Sequence, residues 1–486
     1  MNRLKWLVGV LLLLIAFRAE AQEVLYAPYE KFDLNNGDFS VVGKVGLRTY
    51  VYRSAADGFF LEAYNDSMEK LATIMLDFFP RKIYETRFIN YSDKIIVLYQ
   101  AIETGKVVQY AALLDDRGRL LKGPIQLTSA KTGIWGPSRN YFSSAVSDNK
   151  KEILVYGLEE HGRTLNFSGI WLDDDLSNLQ RGSATFEADN DVSHGEGIVD
   201  NEGRFFLPTF TPNGSRNYAD QVWLLSLNKA ARRFFIKELP LNDRYAASVF
   251  MKLDNVNNKL YTGGFYSDKK NGNYQGVLFA YYDLADSSWH NQKLIPFDEP
   301  LRMATGERNL KRAFNDYQVK QMIIKKDGGF VLISEDFYIT TRTVTPGGWG
   351  GFYYSYYYSP YMSQTIREYN YNDILAISYD ADGVRQWHSF VRKNQYSQED
   401  GGIFSSYGLL NSGSSLAFLF NDFNTRSSRI QLATVDGQGK VEMQSLAAGT
   451  SNDPDWLPRS AKQVALRELI IPCLRKKQIT FAKVIF

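Results

Sequence analysis

The sequence of 486 residues is short of most residue patterns that carry chemistry. Its one cysteine, Cys473, permits no internal disulfide. It sits in the apolar run ELIIPCLRK and reads as buried filler. The four histidines, His161, His194, His290 and His388, stand singly. Neither H-E-x-x-H nor a paired-cysteine spacing occurs, so a zinc site has no sequence warrant. Asp380-Ala381-Asp382-Gly383 comes nearest to a calcium loop and lacks the downstream Glu. No metal and no cofactor is therefore expected. There is no G-x-S-x-G elbow for a nucleophilic serine. Lysine and arginine number 56 against 54 interspersed acids, which leaves no basic field for nucleic acid. Helical periodicity is nearly absent. After residue 17 no apolar run is long enough for a transmembrane helix.

What the chain does have begins with a leader. Arg3 and Lys5 precede an apolar run from Trp6 to Phe17, and Ala19-Glu20-Ala21 has the small-x-small pattern of a cleavage site. Residues 1–21 are predicted to be a signal peptide cut after Ala21. The apolar run is short for an anchor helix, which needs roughly 20 residues. Export would leave the mature chain periplasmic or extracellular.

The mature chain carries a hidden repeat. Seven apolar or aromatic runs end in Asp or Asn: FLEAYN at Asn65, YAALLD at Asp115, SGIWLD at Asp173, WLLSLN at Asn228, LFAYYD at Asp283, LAISYD at Asp380 and IQLATVD at Asp436. Their spacings are 50, 58, 55, 55, 97 and 56 residues. A period near 55 with one long interval marks tandem units. Each unit reads as four strands, as in YFSSAVSD, KEILVYGL, FSGIWLDD and GSATFEA between Tyr141 and Ala188. DDRG, DADG and DGQG read as turns from the third strand to the fourth. Such units predict an all-β propeller, one domain over residues 22–486, with eight blades and seven as the alternative. AKQVALR, ELIIPCLRK and QITFAKVIF supply three strands of the last blade. EVLYAPYEKFDL near the N-terminus supplies the fourth, a clasp that removes a sheet edge.

These units resemble those of secreted bacterial β-propellers. LAISYDADGVRQW, with Gly383 and Trp387, is similar to the repeat of quinone-dependent dehydrogenase propellers, where the Trp docks under the next blade. Only that unit shows the pattern: Asp436-Gly437-Gln438-Gly439 lacks the Trp and Asp173-Asp174-Asp175 lacks the Gly, so no cofactor follows. A Gly/Tyr-rich insertion followed by YNDILAISYD and KNQYSQEDGGIFSSY resembles uncharacterised secreted bacterial proteins, a resemblance that implies no activity.

The insertion, at about 340–370, falls in the long interval between the second and third strands of the sixth unit. Eight of the thirteen residues from Trp349 to Tyr361 are aromatic. Trp349, Tyr353, Tyr354, Tyr356, Tyr357, Tyr358 and Tyr361 pair large faces with polar tips, which suits contact with a protein or glycan. A loop folded back on its own blade is the plainer reading. Residues entering first strands include Glu85, Arg87, Arg139, His194, Glu196, Arg244 and Asp316, and Arg139, His194 and Arg244 are taken as binding residues. Charged loop ends of this kind also occur on any soluble propeller.

Three functions compete. The first is an exported, non-catalytic propeller that binds a protein or glycan through its loop face and insertion. The second is a polysaccharide-active enzyme of glycoside-hydrolase type, which needs two facing carboxylates. Glu196, Glu335 and Asp336 are its candidates, and Glu335-Asp336 interrupts an apolar strand. The third is an outer-membrane β-barrel, suggested by the terminal Phe486, although the strands are shorter than a barrel requires.

Overall fold

The computed structural model describes residues 22–133, 141–211, 218–229, 231–344, 364–423, 429–448 and 453–486. The leader, Arg139 and the aromatic loop from Trp349 to Tyr361 lie outside the described residues. The strands form eight separate antiparallel sheets, each built on four consecutive strand positions. The protein is an eight-bladed β-propeller. Eight separate sheets set aside both the seven-blade alternative and the single closed sheet of a barrel. No helix among the described residues is long and apolar enough to cross a membrane.

The chain divides into two compact units. The first (residues 1–76, 403–434 and 442–486) holds blades one, seven and eight, and the second (residues 77–402 and 435–441) holds blades two to six. Within each unit the core lies between consecutive blades. Ile96 and Leu98 of blade two meet Ile153 and Val155 of blade three. Phe279 of blade five stacks on Phe330 of blade six, with ring centroids 4.2 Å apart.

All seven Asp- or Asn-ended runs are third strands. The recurrent acid is a turn device. Asp115 Oδ1 accepts the N–H groups of Arg117 (2.9 Å) and Arg119 (2.8 Å). Asp380 and Asp436 bind the same two relative positions. The residue three positions on is Gly118, Gly383 or Gly439, each at positive φ, where glycine carries no steric cost. In two turns a buried side chain takes that position instead, Met68 at φ 62 and Leu176 at φ 57. Each pays about 1 kcal/mol of backbone strain. Burying a side chain of that size is worth about 1.5–3 kcal/mol.

The clasp forms as the sequence implies. Glu23–Tyr26 pairs with the last strand, Gln478–Ile485, with Glu23 opposite Ile485 and Tyr26 opposite Ala482. Thr480 Oγ1 donates to the Ala27 carbonyl at 2.6 Å. Cys473 is fully buried on the neighbouring strand.

The long interval differs from the sequence expectation. Its extra residues lie in two places, because part of them forms a connection before blade six. Asp298 caps the short helix Glu299–Ala304 there, accepting the Leu301 N–H at 3.0 Å, and a 3-10 turn at Leu310–Arg312 follows. The rest extends the strands Phe330–Val344 and Gln364–Tyr379 into a long hairpin.

Candidate functional site

Two features of the second unit combine exposed polar groups with a defined scaffold. The first is a cavity of about 550 Å³ lined by the first strands of blades two to five. On Ile83–Asn90, Glu85 and Arg87 project to one side of the strand, as residues two apart must. Gln100 Nε2 donates to Glu85 at 2.9 Å and to the Phe142 carbonyl at 2.8 Å. Arg87 Nη1 donates to Ser144 Oγ at 2.8 Å and to the Ser144 carbonyl. Glu85, Arg87 and Glu196 are solvent-accessible inside the cavity. The protein mass around Arg87 lowers the pKa of its guanidinium, and Tyr156, Glu196 and Glu85 partly oppose that shift.

Glu196 sits between the two short pieces of the fourth blade's first strand, Ser193–His194 and Ile198–Val199. The next residue brings the backbone against blade three, since the Gly197 N–H donates to Tyr156 Oη at 3.0 Å. A Cβ on Gly197 would lie 2.4 Å from the Phe205 ring and 2.7 Å from Tyr156 Oη, so glycine permits this approach. Burial raises the pKa of the Tyr156 phenol.

The second feature is the stem of the long hairpin. The two strands stay paired from Phe337–Tyr371 to Val344–Gln364, and Gln395–Gln398 adds a third strand beside them. Tyr338, Asn370 and Tyr396 form one row across the three strands, and Thr340, Glu368 and Gln398 form the next on the same face. Tyr338 is 36% and Tyr396 47% exposed. Glu368 accepts from Tyr396 Oη at 2.8 Å, Thr340 Oγ1 at 3.0 Å and Gln398 Nε2 at 3.3 Å, which fixes the polar groups in the row beside the rings. Ile339, on the opposite face, is also exposed, so this part of the sheet meets solvent on both sides.

The remaining sequence candidates are dispersed. Glu335 is fully buried and its Oε1 lies 2.8 Å from Lys393 Nζ, itself almost wholly buried. Asp336 occupies the register shift at which the stem begins. Burial, together with Asp316 and Asp373, raises its pKa to about 6, against the opposing effects of Asn372 and Lys393. His194 Nε2 lies 3.5 Å from Glu160, and Arg244 is paired with Asp268 at 2.7 Å beside a separate cavity of about 810 Å³. The cavity thus gathers Glu196 with Glu85 and Arg87, whereas Glu335, Asp336, His194 and Arg244 do not line it. Sequence reading missed Tyr156, Tyr338, Glu368, Lys393 and Tyr396. The alternation in FYITTRTV and REYNY was the available signal for the stem.

Trp387, the residue on which the quinone-dehydrogenase resemblance turned, donates Nε1–H to the Gly437 carbonyl at 3.0 Å. Trp171 makes the same kind of bond to the Gly203 carbonyl of the following blade at 2.8 Å.

No protein family and no curated protein matches this sequence. Among solved structures the chain is similar to prolyl oligopeptidase B from Galerina marginata, at 12% identity over 90% of this chain and 54% of that one, with a TM-score of 0.41. It thus spans about half the length of that enzyme. An ulvan lyase of a polysaccharide lyase family shows 9% identity over 81% of this chain and 90% of that one, with a TM-score of 0.38. A dihydro-heme d1 dehydrogenase shows 13% identity over 93% and 71%, with a TM-score of 0.40. Likeness at this level transfers no chemistry.

Proposed function

We propose that this protein is an exported, non-catalytic binding propeller that captures a glycan or protein on its hairpin stem and the Tyr-rich segment between the two stem strands in the sequence. The observation that supports this reading is the exposed Tyr338–Asn370–Tyr396 row. Sheet spacing sets the two tyrosines about 10 Å apart across the central strand. Flat rings with fixed polar groups in the row beside them can stack on pyranose faces and hydrogen-bond to hydroxyls. They also suit a protein surface, where tyrosine is a preferred anchor. The glycoside-hydrolase alternative draws less support, because Glu335 is held in a buried ion pair and Glu196 faces a cavity shared with Arg87.

Capture on insoluble polysaccharides and from a native envelope extract tests the proposal. Deleting residues 345–363, or combining Tyr338→Ala with Tyr396→Ala, should preserve the melting profile and abolish capture. Undiminished capture by both variants would reject the reading.

A further inference from the structure

The cavity on blades two to five holds a charge arrangement that the stem does not explain. Arg87 and Glu196 come from different blades, are both accessible, and line the same cavity. Yet no ion pair within 4.0 Å joins them among the described residues. Glu196 makes no hydrogen bond there, and Arg87 donates through Nη1 alone, which leaves Nε and Nη2 uncommitted. Opposite charges held apart in one recess leave both open to a ligand, and one bearing both complementary charges can pair with each.

We propose that this cavity binds a small zwitterion of about dipeptide size, its carboxylate on the free edge of Arg87 and its ammonium on Glu196. A purely anionic ligand would meet Glu85 and Glu196, and a purely cationic one would leave the Arg87 fork uncompensated. The volume of about 550 Å³ is within the usual range for small-molecule sites and generous for a single amino acid. Phe142, Ile198 and Phe250 line the same cavity and provide apolar surface for side chains.

Calorimetry on the mature chain with the dipeptides Ala-Ala and Ala-Phe, their N-acetylated and C-amidated forms, and neutral disaccharides tests this. Unblocked dipeptides should bind, and either block should weaken binding at least about tenfold. Glu196→Gln should remove the penalty for acetylation and Arg87→Gln that for amidation, with melting curves as the folding control. Glu196→Gln also serves alone, since the Glu196 carboxylate supports no hydrogen bond that folding would lose. Equal binding of blocked and free dipeptides, binding of disaccharides only, or no binding up to about 10 mM would each overturn the proposal.

Discussion

The foot of the hairpin stem supplies a quantitative prediction. Lys393 Nζ is 2.8 Å from Glu335 Oε1, 3.0 Å from Gln395 Oε1 and 3.1 Å from the Tyr371 carbonyl. Those three partners belong to the three strands that enter the stem. The two charged side chains are 1% and 0% exposed, so neither can be hydrated if the other is removed. Lys393→Met should therefore cost about 3–5 kcal/mol, because it leaves a buried carboxylate without its cation. Glu335→Leu should cost a similar amount. The double variant Lys393→Met/Glu335→Leu should recover most of the loss, since a packed apolar pair avoids the desolvation of both ions. Urea midpoints monitored by far-UV circular dichroism and tryptophan fluorescence would measure the cycle, with coincidence of the two probes checked for every variant. Single variants that each cost less than about 1 kcal/mol, or additive losses in the double variant, would refute the reasoning.

Three further outcomes are expected. Asp336 has a folded-state pKa of about 6, above its ordinary 3.8, so the native state holds the proton more tightly. The contribution of Asp336 to stability should therefore be most favourable below about pH 4 and be lost as pH rises through about 6. Asp336→Asn should flatten that profile and add on the order of 1–3 kcal/mol at pH 7, read from urea midpoints across pH. Gly197→Ala should cost about 1–3 kcal/mol in the same assay, because the new methyl group overlaps Phe205 and Tyr156. Trp171→Phe should cost about 1–3 kcal/mol through the lost bond to the Gly203 carbonyl and the lost ring volume.

The fold was readable where local chemistry repeats. An Asx turn needs a short acid at its first position, so Asp115, Asp380 and Asp436 announce the ends of third strands. The clasp was readable because EVLYAPYEKFDL has the apolar, aromatic pattern of a strand without belonging to any of the seven repeat runs. Where a buried Leu176 or Met68 replaces glycine at positive φ, the turn signature is hidden although the geometry persists. The helix Glu299–Ala304 is too short to show a period. The candidate site was less legible because it depends on partners distant in sequence. Glu335 finds Lys393 58 positions away, and Tyr338 lines up with Tyr396 only through an intervening strand. A strand's alternation says which side chains share a face, not whether another blade covers that face, so the exposed stem needed the structure.

Hydrogen exchange on the full chain, with and without a partner captured from the native envelope, tests the central claim most directly. The account expects protection concentrated on Phe337–Val344, Gln364–Tyr371 and Gln395–Gln398. Protection confined to other blades, with the stem exchanging as freely as in the unbound protein, would contradict it.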